Sequence, residues 1–297
     1  MYDIIIVGAG PAGLTAAIYA CRAKKSVLVL EANTYGGQIV GTPDIENYPV
    51  EEHISGFDFA TRLYNQTKNL GAEIKFEKVV EIQDGELKKV ITPKNSYECK
   101  ALILATGAEN RKLGLSNEDE LVGKGVSYCS TCDGMFYKGK DVAVVGGGNS
   151  ALEDAIYLSD ICNTVYLIHR RDKFRADETL INELSNHENI KCIMNSRVTK
   201  LIADDKLNSI EVTSDEVSIL SVEGIFISVG RVPENQNFAK VINLNDFGYV
   251  IASEDCHTNV DGIFVAGDNR TKLLRQLVTA TGDGAVAATE AIKYINR

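Results

Sequence analysis

The sequence predicts an α/β fold built from two similar parts, the second set inside the first. Three features carry this. Residues 2–7 form a short β-rich run, followed by a glycine turn, a helical stretch over about 11–24 and a second apolar run over 26–30. The same succession recurs: a run over 141–145, a turn at 146–148, a helical stretch over 149–160 and a run over 164–168. Wholly apolar strands joined by a helix belong to a parallel sheet covered on both faces. No low-complexity linker separates the two parts, so the crossings are expected to be short, near 112–116 and 235–240. That makes the first domain discontinuous, residues 1–114 with 239–297, around a second domain of residues 115–238.

The remaining elements follow in order. Residues 79–83 and 86–92 flank Asp84-Gly85, a hairpin signal. Residues 101–105 read as a buried strand ending at Thr106-Gly107. A second hairpin joins 198–203 to 208–213. Residues 224–229 lead into Gly230-Arg231-Val232-Pro233. Residues 263–266 form one more buried strand before Gly267-Asp268, and 277–295 read as a closing helix with small residues on one face.

Composition narrows the class. The chain has 297 residues, enough for one large domain or two ordinary ones and for a core that needs no staples. Its net charge of −10 argues against binding nucleic acid or anionic membranes. The apolar run at 4–7 is too short for a secretion signal and follows Asp3 with no basic segment. No stretch approaches the ~18 apolar residues of a membrane span. The expected location is the cytosol. Of the seven cysteines, five are isolated and read as small buried hydrophobes; the odd number does not resemble a secreted disulfide framework.

Two glycine motifs carry the chemistry. Gly8-Ala9-Gly10-Pro11-Ala12-Gly13 is a complete G-x-G-x-x-G between a strand and a helix. Its first glycine permits the tight turn, the second lets backbone approach a pyrophosphate, and the third allows close helix–strand packing. Glu31 ends the next strand about 20 residues on, the expected place for an acid that binds a ribose 2′-hydroxyl. In the second motif, Gly146-Gly147-Gly148-Asn149-Ser150-Ala151, alanine holds the third position. Its second strand ends in His169-Arg170-Arg171, with Arg175 close behind, instead of an acid. Arginines there suit a 2′-phosphate, which favours NADPH over NADH. Two Rossmann-like domains, one for a free ribose and one for a phosphorylated ribose, suggest an electron relay, although these rules do not identify the first dinucleotide.

Cys129 and Cys132 lie just before the second motif, in Cys129-Ser130-Thr131-Cys132-Asp133-Gly134. Three readings compete: a zinc site, two structural cysteines, or a redox pair. Zinc needs about four ligands, and no second C-x-x-C or spaced histidine pair is present. The two dinucleotide motifs favour redox chemistry, because electrons from them need a destination. Asp133 is adjacent and suited to move the accompanying proton.

With these motifs in place, the whole chain resembles the low-molecular-weight, bacterial-type thioredoxin reductases. The resemblance runs from the first glycine motif through Gly36-Gly37-Gln38 and Glu46-Asn47-Tyr48-Pro49 to the cysteine segment. It continues through Gly146–Ala151, residues 169–175, residues 262–268 and Arg275-Gln276. It implies FAD at the first site, with Gly37, Gln38 and Asn47 along the flavin, Gly267-Asp268 at the ribityl chain and Arg275-Gln276 at the start of the facing helix. It implies NADPH at the second. Cys132 would face the flavin, Cys129 would exchange with thioredoxin, and Asp133 would be the acid. Members of the family are homodimers whose NADPH domain swings between two orientations. Two departures stand out: Ser130 where alanine is frequent, with little expected effect, and Asn269 where an apolar or small residue is common. The alternatives are a reductase of another disulfide carrier, a flavin-dependent dithiol oxidase, and a non-catalytic nucleotide-sensing module.

Overall fold

A computed structural model describes residues 1–42, 44–214 and 216–297. The chain divides into two compact units, Met1–Glu109 with Val232–Arg297, and Asn110–Arg231. The crossings fall at 109/110 and 231/232, a few residues before the expected 114/115 and 238/239.

In the first unit, β1 (Tyr2–Val7) turns at the glycines into α1 (Pro11–Arg22), which returns to β2 (Val27–Glu31). α2 (Gly56–Asn69) and β3 (Glu73–Phe76) follow, then the hairpin β4 (Glu81–Gln83) and β5 (Lys88–Ile91). Next come the long β6 (Ser96–Leu104) and the short β7 (Ala108–Asn110). The sequence expectations assigned no element to α2 or β3. The start of α2 has a local cause: the Ser55 hydroxyl accepts the Asp58 N–H at 3.0 Å, a side-chain cap on an otherwise unpaired donor.

The inserted unit holds β8 (Val126–Ser127), the one-turn helix α3 (Ser130–Asp133), β9 (Asp141–Gly146), α4 (Asn149–Ser159) and β10 (Thr164–Ile168). α5 (Glu178–Leu184) and β11 (Ile190–Ile193) complete its parallel layer with β15 (Gly224–Ser228). An antiparallel sheet of β12 (Arg197–Ala203), β13 (Leu207–Thr213) and β14 (Val217–Ser221) intervenes. β16 (Arg231–Pro233) spans the return crossing, and the first unit continues with β17 (Ile263–Val265) and α6 (Leu277–Ile295).

Both units have a doubly covered parallel sheet, as the apolar runs require. In the first, the order is β3-β2-β1-β6, with β17 parallel to the end of β6 and β5 antiparallel to its start. Side chains alternate between two cores. Ile4, Ile6, Val27, Val29, Ile103 and Phe264 pack with the alanines of α1 and α6, while Ile5, Val7, Leu28, Leu30 and Leu104 pack on the opposite face. This is strand periodicity with both faces buried, each large side chain contributing roughly 1.5–3 kcal/mol. The second sheet, β11-β10-β9-β15-β8, is divided likewise: Ala143, Val145 and Ile225 on one face, Val142, Val144 and Phe226 on the other.

The small residues of α6 let it lie against α1. A Cβ on Gly284 would lie 2.2 Å from the Ala12 carbonyl oxygen, so no larger residue fits at this crossing. A buried charge network anchors the same helix. Arg270, with no exposed surface, grips Asp283 through Nε and a terminal nitrogen, each at 2.8 Å. Asp283 also accepts from Lys272 and from the Gly267 N–H, both at 2.9 Å. These opposing cations hold the Asp283 carboxyl below the usual carboxylate range, against the upward push of burial.

In each unit the strand order reverses beside the glycine turn: β1 lies between β2 and β6, β9 between β10 and β15. The carboxyl ends of such strands are where open α/β sheets bind ligands.

Candidate functional site

The first glycine turn is shaped for a backbone–phosphate contact. Gly8 has φ +108°, and a Cβ there would lie 2.2 Å from the Ala105 carbonyl oxygen. A Cβ on Gly13 would lie 1.9 Å from the Gly8 carbonyl oxygen. At Gly10, between them, a Cβ would meet nothing within 4 Å. The two outer glycines close the turn and the middle one faces open space. α1 starts there with Pro11 in its first turn, no side-chain cap and no acid, which leaves the turn's N–H groups available to an anion. Glu31 ends β2 at this turn. One of its carboxylate oxygens accepts the Ala9 N–H at 2.8 Å, the other the Asn33 N–H at 2.9 Å.

The other residues expected at this site converge on the same turn or on the start of α6. Gly37 comes up to Gly10, to whose Cα a Gly37 Cβ would be 3.4 Å, and the Gln38 amide donates to the Ala108 carbonyl. Gly267, at φ +90°, lies over Ala12. Asn47 donates to Gln276 at 3.2 Å, and Gln276 in turn forms a reciprocal cap with Thr279 at the start of α6. Arg275 donates to the Asp268 and Arg270 carbonyls at 3.4 and 3.2 Å, and its guanidinium lies over the Tyr249 ring, 4.4 Å from the centroid. An open cradle at Gly10, an acid at the end of β2 and a second glycine turn over Ala12 fit the pyrophosphate and ribose of a dinucleotide.

The second turn repeats the geometry with different chemistry. A Cβ on Gly146 would lie 2.4 Å from the Ser228 carbonyl oxygen, whereas one at Gly148 would meet nothing within 4 Å. α4 begins here without a side-chain cap, with Asn149 and Ser150 exposed. Asn149 bonds reciprocally with Asp177, at 2.8 and 3.0 Å, which ties the turn to the start of α5. The Arg175 N–H donates to the Gly147 carbonyl at 2.6 Å. Arg170, Arg171 and Arg175 are exposed, and among the described residues no carboxylate pairs with them. His169 differs. It is buried, with Nε2 3.1 Å from the Lys173 carbonyl, and its ring fills the space a Gly147 Cβ would need. Burial lowers its pKa, so the ring takes up a proton less readily than a free imidazole. The histidine supports the loop from beneath while the arginines face solvent.

The cysteine pair is closed. Cys129 and Cys132 form a disulfide with Cα atoms 5.3 Å apart, Cys129 capping α3 and Cys132 inside it. The segment follows directly from β8, at the carboxyl end of the sheet that also carries the second glycine turn. Asp133 closes the turn: its N–H donates to the Cys129 carbonyl at 3.1 Å. The Ser127 hydroxyl donates to Asp133 Oδ2 at 2.6 Å and accepts the Cys129 N–H at 3.1 Å. Asp133 Oδ1 is buried with no hydrogen-bond partner among the described residues. Burial pushes the Asp133 carboxyl up, opposed by the Ser127 bond, so it holds a proton more readily than an exposed aspartate.

Sequence reasoning missed Ser127, Asp154, Asp283 and Arg270. A serine two residues before the first cysteine could have drawn attention to Ser127, as a side chain able to reach backbone just ahead. Nothing local marks Asp154, which meets Ser130 and Ser228 only in the folded sheet.

Residues 2–284 match the pyridine nucleotide-disulphide oxidoreductase family. A thioredoxin reductase of Listeria monocytogenes is 44% identical over 300 residues, spanning 99% of this chain and 94% of that one. One from Bacillus subtilis is 40% identical over 99% of this chain and 95% of its own. The crystal structure of thioredoxin reductase from Streptococcus pyogenes superposes with a TM-score of 0.96 at 38% identity, covering all of this chain and 98% of that one.

Proposed function

This chain belongs to the pyridine nucleotide-disulphide oxidoreductases, and we propose that it is a flavoprotein that reduces thioredoxin disulfide with NADPH. One observation carries the reading: a closed C-x-x-C disulfide stands at the carboxyl end of a sheet whose neighbouring turn is built for a dinucleotide. Thioredoxin as the substrate rests on relatives named thioredoxin reductase that match nearly the full chain.

Gly8, Gly10, Pro11, Ala12, Gly13 and Glu31 hold the pyrophosphate and ribose of FAD, with Gly37, Gln38, Asn47, Gly267, Asp268, Arg275 and Gln276 along its remaining length. When bound, the flavin supplies two-electron transfer between nicotinamide and disulfide. Gly147, Gly148, Asn149 and Ser150 receive the NADPH pyrophosphate on the α4 N-terminus, and Arg170, Arg171 and Arg175 clasp the 2′-phosphate. His169 serves this site by holding Gly147 in place. Reduction opens the Cys129–Cys132 bond to two thiols. The Cys129 thiolate attacks the carrier disulfide and releases one carrier sulfur as a thiol; Cys132 then displaces the second and restores the internal bond. Asp133, half-buried and next to Cys132 in sequence, holds and returns the proton that the departing sulfur needs. The same reading makes the protein a cytosolic homodimer; among the described residues no helix is long and apolar enough to cross a membrane.

The test is an anaerobic titration of the purified protein with NADPH, followed by oxidised thioredoxin. NADPH should bleach the flavin absorbance, and thioredoxin should restore it with two thiols gained per disulfide. A flavin that NADPH leaves oxidised would overturn the reading. Bleaching that oxygen reverses but thioredoxin does not would point to an oxidase.

A further inference from the structure

Ser130 lies between the two cysteines and is only 2% exposed. Its hydroxyl donates to one carboxylate oxygen of Asp154, and the hydroxyl of Ser228 donates to the other. Asp154 sits on α4, the helix that begins at the second glycine turn, and Ser228 ends β15. Beside these contacts α3 runs directly into Gly134, where a Cβ would come within 3.1 Å of Leu158 and Tyr157 of α4. One carboxylate therefore ties together the residue inside the C-x-x-C, the end of a central strand and the dinucleotide helix. Both of its oxygens are engaged, each by a serine hydroxyl.

We propose that Asp154 is a positioning residue for the dithiol, holding the turn between Cys129 and Cys132 through Ser130 and anchoring it to the sheet through Ser228. The proposal rests on the reading of this pair as the exchanging disulfide. An internal disulfide is favoured by the effective concentration of its two thiols, and that concentration depends on how firmly the backbone between them is held. Releasing the turn lowers it, so the disulfide of a released variant is reduced more readily. The same clamp explains the serine between the cysteines: an alanine there has no hydroxyl to offer the half-buried carboxylate. Burial raises the Asp154 carboxyl, opposed by the two serine bonds and by the Arg231 charge, and losing either serine takes the donor from one carboxyl oxygen.

The test uses the flavin-loaded protein in anaerobic glutathione buffers without NADPH. There the closed enzyme plus two glutathione thiols equilibrates with the open dithiol plus one glutathione disulfide. Rapid alkylation and intact-mass measurement read the ratio. Ser130→Ala and Asp154→Asn should each move the equilibrium constant toward the dithiol by about three- to tenfold, the range of one hydrogen bond. The double variant should move it no further than Asp154→Asn alone, because the two residues share one interaction. Values within twofold of wild type for both singles, or fully additive effects in the double, would overturn the role of Asp154. If the Asp154 variant does not fold, Ser130→Ala and Ser228→Ala, each removing one hydroxyl, must still shift the constant in the same direction. A wild-type disulfide that stays closed at every glutathione ratio overturns the redox reading of the pair, and the role of Asp154 with it.

Discussion

Asp133 shows how one carboxyl is adjusted by its surroundings. Burial raises its pKa above that of an aspartate in the unfolded chain, and a single serine bond only partly offsets this. The folded state therefore binds the proton more tightly than the unfolded state. Its contribution to stability is fully present below the ordinary aspartate value, about 4, and is lost as pH rises through the folded pKa. Asp133→Asn should accordingly melt at a higher temperature than wild type at pH 7, with the difference vanishing toward pH 4. Thioredoxin turnover by the same variant should fall about 100-fold or more, the usual contribution of a positioned proton donor. A variant that gained no stability, yet lost turnover, would separate the proton role from the burial cost. The arginines give a second residue-scale prediction. Arg170→Ala/Arg171→Ala should weaken NADPH by about 3–6 kcal/mol and leave NADH nearly unchanged, since each guanidinium–phosphate bond is worth roughly 1.5–3 kcal/mol. Equal losses for the two nucleotides, measured by KM, would sink the 2′-phosphate assignment.

At the scale of elements, the turn from β1 into α1 separates two roles of glycine. Gly13 is needed for packing, because any Cβ would strike the Gly8 carbonyl at 1.9 Å. Gly10 has room, so a methyl there obstructs only a ligand. Gly13→Ala should lower the stability of the flavin-free protein by about 1–3 kcal/mol, the range for overpacking a tight contact. Gly10→Ala should leave that stability within about 0.5 kcal/mol and still weaken flavin binding at least tenfold. Chemical denaturation of the flavin-free protein and a flavin-binding titration read the two effects. If Gly10→Ala destabilised the protein as much as Gly13→Ala, the open cradle would be wrong.

For the whole molecule, two units with separate cores and separate nucleotide turns imply two largely independent responses to ligand. Each ligand stabilises the unit that binds it by RT ln(1 + [L]/Kd), about 2.7 kcal/mol at a hundredfold excess over Kd. Calorimetry should then show two transitions. Removing flavin should lower one, and adding NADP+ at a hundredfold excess should raise the other by a few degrees. A single transition that both ligands move together would mean that the units unfold as one.

The sequence by itself determined the repeated strand–turn–helix–strand units, the two glycine turns, the different ends of their second strands and the cysteine spacing. These are local: φ-permissive glycines, apolar runs and a two-residue gap act over a few positions, and they recur in the structure where the sequence puts them. The closing helix Leu277–Ile295 was legible for the same reason, its small residues matching the close crossing on α1 at Gly284. Only the tertiary structure decided which polar groups meet. Ser130, Asp154 and Ser228 are brought together by the order β9-β15-β8, and Arg270 finds Asp283 across the start of α6. His169 and Arg170 are adjacent in one basic run, yet one is buried beneath Gly147 and the other is exposed. No spacing rule separates them, because burial is set by what the fold lays against each side chain.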